Sequence, residues 1–202
     1  MSLRERKSAK KKEEIIRSAV SILSEKGYHG TTMEEIASKL LMTKGSVYYY
    51  FKDKQDLLYQ IQLMILHQSI TNMNDIQKLD LPVSDILRKA MIVHIEYLIS
   101  EKSGFELMIN PEEIFSTSQL DEIFRLRDEY GMCFDQLIVQ GIDKGDFVSV
   151  DIKIVRNIIL GAMNWVTQWY SYEGKMNKTE IATMISEYLM QILITDKRKH
   201  TS

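Results

Sequence analysis

Apolar residues recur at three- and four-residue spacing along most of the chain, which is the period of a helix with one covered face. Ile15, Ile16, Ala19, Val20 and Leu23 mark the first such face, and Lys26-Gly27 closes it with a cation followed by a glycine. Residues 2–12 are polar and basic and read as a mobile arm. Thr32 with Glu35 three residues on has the capping-box spacing, opening a short helix with Met33, Ile36, Ala37 and Leu40 inward. Leu41-Met42 makes a short connection, and Thr43 caps a third helix running through Phe51. A long helix begins near Lys54 with Leu57, Leu58, Ile61, Met64 and Ile65 on its covered side. Further helices are expected over 83–99, 105–108, 120–142, 152–172 and 177–194, with breaks at Asn110-Pro111, Lys144-Gly145 and residues 173–175. No stretch shows convincing strand alternation, so the expected class is all-α. The division expected is a three-helix helix-turn-helix domain over 1–53 and a larger helical ligand-binding and dimerisation domain over 54–202.

Composition agrees with that class. The 202 residues include only 2 Pro and 9 Gly, and such scarcity of breakers favours long helices. The single cysteine, Cys133, can form no internal disulfide and argues against a cysteine metal site. No secretory pattern or apolar run of membrane length is read, so the expected setting is cytoplasmic, without membrane contact. The net charge of −2 conceals an asymmetry: residues 1–54 hold 12 Lys/Arg against 7 Asp/Glu, and the remainder 14 against 21. A basic end on an acidic body suits a nucleic-acid contact confined to one end, although a charged tail that only aids solubility gives the same balance.

Residues 32–51 carry the sharpest signal. Two short helices joined by a tight turn describe a helix-turn-helix, whose second helix enters the major groove with its first residues at the base edges. Lys44, Gly45 and Ser46 occupy that start: Lys44 can reach a guanine edge or a phosphate, Gly45 permits close backbone approach, and Ser46 can donate or accept. Tyr48 and Tyr49 can pack on sugars and bond phosphate. Free N–H groups at the helix starts near Thr32 and Thr43 also suit phosphate. Val47, Tyr50 and Phe51 share a face expected to be core. A tyrosine run is also a common packing pattern; Gly-Ser before it and Lys after it favour DNA.

The segment Gly27-Tyr28-His29-Gly30-Thr31-Thr32, Ile36-Ala37, then Thr43 through Lys54 (TKGSVYYYFKDK) closely resembles the TetR family of bacterial regulators. That resemblance implies a homodimeric repressor with a three-helix head on a helical ligand-binding body. It carries DNA contacts onto Thr32, Thr43, Lys44, Gly45, Ser46, Tyr48, Tyr49 and Lys54, with Tyr50 as a further candidate. It also implies a dimer interface on the last two helices. One departure stands out: Leu41 occupies a turn position where the family usually has glycine, and leucine resists the positive φ that glycine tolerates.

The helix expected over 152–172 is apolar on nearly all sides, so one side should face a partner subunit. Ile158, Gly161, Ala162 and Trp169, with Ile181, Met184, Ile185, Tyr188, Leu189 and Ile192 on the next helix, are the expected dimer surface; a monomeric core is the alternative. Arg127 lies in the apolar stripe of 120–142 and needs a partner, either a carboxylate of a neighbouring helix or an anionic effector. The expected pocket is largely apolar, bounded by Phe105, Met108, Arg127, Tyr130, Phe134, Met163 and Trp165. The residues Gly161 to Trp165, Trp169-Tyr170, Glu173-Gly174 and Ile181-Ala182 resemble the branch of the family that controls fatty-acid degradation, whose effectors are often acyl-CoA thioesters. Basic residues common in that branch are replaced here by Gln168.

His29, His67, His94 and His200 show no metal spacing, and His67 and His94 read as surface or satisfied core residues. No phosphate-cradling glycine loop or serine elbow occurs. No enzyme, cofactor or metal is expected. The competing function is a helical small-molecule carrier or sensor with a non-functional head.

Overall fold

The computed structural model describes residues 2–101 and 111–194. Its elements are α1 (Leu3–Gly30), α2 (Met33–Lys39), α3 (Lys44–Tyr48), α4 (Lys54–Gln77), α5 (Val83–Ser100), a 3-10 turn (Pro111–Glu113), α6 (Thr117–Asp143), α7 (Ile152–Asn164), α8 (Val166–Trp169) and α9 (Lys178–Met190). Among the described residues there is no strand, and no helix is long and apolar enough to cross a membrane. The expected helix over 105–108 lies outside the described residues. Contacts divide the chain into two units, Met1–Leu66 with Ser103–Phe124 and His67–Lys102 with Arg125–Ser202, so α4 and α6 contribute to both.

In the first unit, Ile15, Ala19 and Leu23 of α1, Ile36 of α2, Val47, Phe51 and Leu57, Leu58 and Ile61 of α4 are buried together as the apolar spacing requires. The basic segment expected to be a mobile arm is helical. Ser2 and Glu5 form a reciprocal capping box, Ser2 N–H donating to Glu5 Oε2 at 2.7 Å and Glu5 N–H to Ser2 Oγ at 3.2 Å, so α1 starts at Leu3. The expected stop at Gly27 appears as an interruption, with Gly27 at φ 71° and a last turn continuing to Gly30. The third helix is shorter than expected and ends at Tyr48, because a turn follows in which Asp56 accepts the Lys52 N–H at 2.9 Å and opens α4.

In the second unit, α5 packs against α7, α8 and α9. The long helix α6 ends as expected at Gly145, which has φ +76°. Gly141 has no alternative there: a Cβ would lie 2.0 Å from the Phe147 ring. The single helix expected over 152–172 is broken. Thr167 Oγ1 donates to the Asn164 carbonyl at 3.0 Å, Gln168 N–H bonds Trp165 in a tighter turn, and Tyr170 leaves in an extended conformation. A hydroxyl competing for a helix carbonyl is a local reason for the break. The last helix starts where expected, capped by Asn177, and ends at Met190 rather than 194.

Candidate nucleic-acid interface

The two short helices of the head are held mainly by their ends. Thr32 Oγ1 accepts the Glu35 N–H at 3.2 Å while Glu35 returns to the Thr32 N–H at 3.0 Å. Thr43 Oγ1 accepts the Ser46 N–H at 3.1 Å and lies 2.7 Å from the Ser46 hydroxyl. Between them Leu41 donates to Ser38 O at 3.0 Å and Met42 to Ala37 O at 2.9 Å. That pair of bonds is the Schellman closure of α2, which needs a left-handed residue after the cap. Leu41 takes that place at φ 52°, with its side chain 97% exposed. The family's turn is thus retained with leucine in it, at a backbone cost of about 1–2 kcal/mol.

Around the start of α3 the expected DNA contacts are grouped on one exposed surface. A Cβ on Gly45 would meet nothing within 4 Å, so nothing inside the protein requires glycine there. Lys44 is exposed and forms an ion pair with Glu34 of α2, its Nζ lying 5.5 Å from the Tyr48 ring centroid. That pairing holds the Glu34 carboxyl below its ordinary range, first through the hydrogen bond from Lys44, and raises the Lys44 ammonium. Tyr49 is 73% exposed and meets Tyr50 edge-on at 5.0 Å, whereas Tyr50 itself is half-buried. Val47 and Phe51 are core, as their spacing predicted. Glu34 is the residue of this surface that sequence reasoning overlooked; it had been read only as part of a cap.

Lys54 departs from the expected contact set. Its ammonium donates to Tyr28 O at 2.5 Å and Thr31 O at 2.8 Å and lies 4.3 Å from the Tyr28 ring centroid. On the same helix, Gln62 is fully buried, and neither of its amide atoms has a hydrogen-bond partner. An enclosed unpaired amide costs roughly 1–3 kcal/mol. Its polar letter among Leu58, Ile61 and Ile65 was the available signal.

Of the expected effector residues, Phe105 and Met108 lie outside the described residues. Tyr130, Phe134 and Met163 are buried in the second unit, gathered on His94, which sequence reasoning assigned to ordinary helix surface or core. His94 Nδ1 lies 2.8 Å from the Tyr130 hydroxyl and Nε2 lies 3.1 Å from Asn164 Oδ1. Burial pushes the imidazole down to about 4, so it is neutral at neutral pH. Burial also raises the Tyr130 hydroxyl. Beside them, Ser69, Asn72, Met73 and Ala90 complete a cavity of about 10 Å³, room for one water-sized sphere. Trp165 is a correction: it is 66% exposed, two helical positions from the buried Met163, and therefore turned away from that cluster. Arg127 is half-buried and already engaged within the chain.

The expected partner surface divides similarly. Ile158, Gly161, Ala162, Trp169, Met184, Tyr188 and Ile192 are exposed, and Ile181 and Ile185 are half-buried. Leu189 is a correction, because it is buried in the chain's own core. The exposed stripe of α7 also includes Ile154 and Trp165, opposite the buried Val155, Ile159 and Met163.

A helix-turn-helix head with a helical C-terminal domain defines a class of DNA-binding transcription regulators. Residues 15–61 match the family described as bacterial regulatory proteins, tetR family, and residues 80–193 match the tetracyclin repressor-like C-terminal domain. The chain belongs to the TetR family. It is 24% identical over 182 residues to the fatty acid metabolism regulator protein of Bacillus subtilis (strain 168), covering 88% of this chain and 92% of that protein. The fold is shared with the TetR family transcriptional regulator PfmR from Thermus thermophilus, at TM-score 0.80 and 24% identity over 87% of this chain and 96% of the other. It is shared too with AibR, solved in complex with isovaleryl coenzyme A and operator DNA, at TM-score 0.77 and 22% identity over 88% and 96% of the two chains. These relatives are regulators rather than enzymes.

Proposed function

We propose that this protein is a homodimeric repressor that grips a palindromic operator with two copies of α3 and releases it on binding a largely apolar effector. The observation that carries the reading is the start of α3: an exposed Lys44, a Gly45 backbone open to space, and Ser46 and Thr43 beside it. Residues 1–53 are the reading head and 54–202 the ligand-binding and dimerisation domain in this reading. Thr32, Thr43, Lys44, Gly45, Ser46, Tyr48, Tyr49 and Tyr50 are the proposed contacts, and Lys54 is treated below. The exposed apolar stripes of α7, α8 and α9 support pairing through Ile158, Trp169, Met184 and Tyr188. Two heads on one face of a duplex would stand about 34–36 Å apart, one helical turn.

For the effector we propose an acyl-CoA thioester. The support is the name of the Bacillus subtilis relative and the isovaleryl coenzyme A held by AibR. Tyr130, Phe134 and Met163 are the proposed apolar wall. Arg127 is the candidate for the anionic end, exchanging an interaction it already makes. Binding releases DNA only if the effector favours the released conformation. The cytoplasm is the proposed site of action.

Selection of genomic fragments by the purified protein, followed by gel shift with the recovered duplex, tests the reading. Lys44→Ala with Tyr48→Ala should abolish the shift and leave dimerisation unchanged. Long-chain acyl-CoA should release the duplex, whereas no release and no change in Tm with acyl-CoA would remove that effector. Ligand binding without any retained fragment would make the protein a carrier instead.

A further inference from the structure

The end of α1 leaves carbonyl groups that its own helix does not use, because Gly27 interrupts the hydrogen-bond run three residues before the helix stops. Two of them, on Tyr28 and Thr31, point to one ammonium, that of Lys54 at the first position of α4. The cation also lies over the Tyr28 ring. Thr31 is buried, donates its hydroxyl to Gly27 O at 2.8 Å, and directly precedes Thr32, the cap of α2. One side chain thus ties together the end of α1, the entry to α2 and the start of α4. We propose that Lys54 is a positioning residue that sets the orientation of α2 and α3 for operator recognition, and that it makes no phosphate contact.

The chemistry favours this assignment. A Lys that left for a phosphate would strand two carbonyls, one belonging to a buried residue, and give up the aromatic face. Each charge-assisted hydrogen bond is about twice as strong as a neutral one. A phosphate contact at the rim of a duplex competes with water and salt, whereas this internal site is part-buried. The proposal rests on the DNA-binding reading of α3 and changes the role of one residue in it.

The two roles differ in their salt dependence. Loss of one phosphate contact flattens log K against log[salt] by about 0.9 and weakens operator and random duplex alike. Loss of a positioning residue leaves the slope and random-duplex affinity unchanged and lowers operator affinity alone. Lys54→Met keeps the stem and removes the charge. Titrations of this variant, held well below its Tm, against a genomically selected duplex and a random duplex should show operator affinity at least tenfold weaker. Random-duplex affinity should stay within twofold at unchanged slope. Lys54→Arg, which can donate to both carbonyls and stack on Tyr28, should restore most of the loss. Hydrogen exchange should accelerate in Lys54→Met at residues 28–34. A slope reduced by about one on both duplexes, or exchange there equal to wild type, overturns the proposal. If wild type holds neither duplex, the DNA-binding reading fails by itself, while the exchange measurement still decides whether Lys54 holds the junction.

Discussion

The head and the α7–α9 region of the body are both built from helices, but they are stabilised in different ways. In the head, α2 and α3 have 7 and 5 residues, too short to stand by propensity, and a side chain closes each start. Thr32, Glu35 and Thr43 act within three residues of their partners, so a local motif names both the structure and its chemistry. In the body, α7 has apolar residues on two sides. Val155, Ile159 and Met163 are covered, while Ile154, Ile158 and Trp165 are not. Nothing local separates those two sets. Local chemistry is therefore easier to read than the destination of an apolar face.

That contrast can be broken at four points, given from the largest expected effect to the smallest. If the open side of α7 is a partner surface, Ile158→Glu places a charge in it, and burying an unpaired carboxylate costs several kcal/mol. Sedimentation should show dimer dissociation at least a hundredfold weaker, with the monomer's helical content retained. An unchanged association state would make the stripe ordinary surface.

The covered side has its own test in His94. Its folded value of about 4 lies below the ordinary 6.5, so the unfolded chain binds the extra proton first. Stability is then complete above pH 6.5 and is lost as pH falls from 6.5 towards 4, by about 3 kcal/mol over that window. Denaturant titrations should show this slope in wild type and a flatter one in His94→Asn.

In the head, Leu41→Gly relieves a left-handed leucine whose side chain touches little. It should stabilise the protein by about 1 kcal/mol, less the added entropy of an unfolded glycine. A lower Tm would mean that Leu41 contributes a contact. The smallest effect is expected at Glu34, whose pair with Lys44 is exposed; such pairs are worth roughly 0–1 kcal/mol. Glu34→Gln frees Lys44 and removes a negative charge near the duplex. Random-duplex affinity should rise up to about fivefold, and more than operator affinity; an equal rise in both would deny Glu34 any part in discrimination.

Much of the head was legible because its signals are short. The Thr32–Glu35 box, the Thr43 cap, the buried Val47 and Phe51 and the exposed Lys44 follow from spacing. The resemblance also located the anomaly at Leu41, but only the backbone shows that leucine accepts the left-handed turn. Lys54 was misjudged for an identifiable reason. Its partners, the carbonyls of Tyr28 and Thr31, are main-chain atoms more than 20 positions away, and no pattern of side-chain letters reports them. Basic residues 2–12 were read as an arm because they lack an apolar face, although Ser2 and Glu5 already carried a capping signal.

In the body, periodicity anticipated α5, α6 and the start of α9, and it marked Tyr130, Phe134 and Met163 as inward. Which side of the next helix Trp165 would take depended on a break that Thr167 makes with the Asn164 carbonyl. Leu189 and Tyr188 are adjacent, yet one is buried and the other 69% exposed. By itself, then, the sequence determined the helical class, the caps and the recognition surface, because those depend on residues three or four apart. The tertiary structure decided the role of Lys54, the pairing of His94 with Tyr130 and Asn164, and the open side of α7, because each depends on which distant groups come to lie against it.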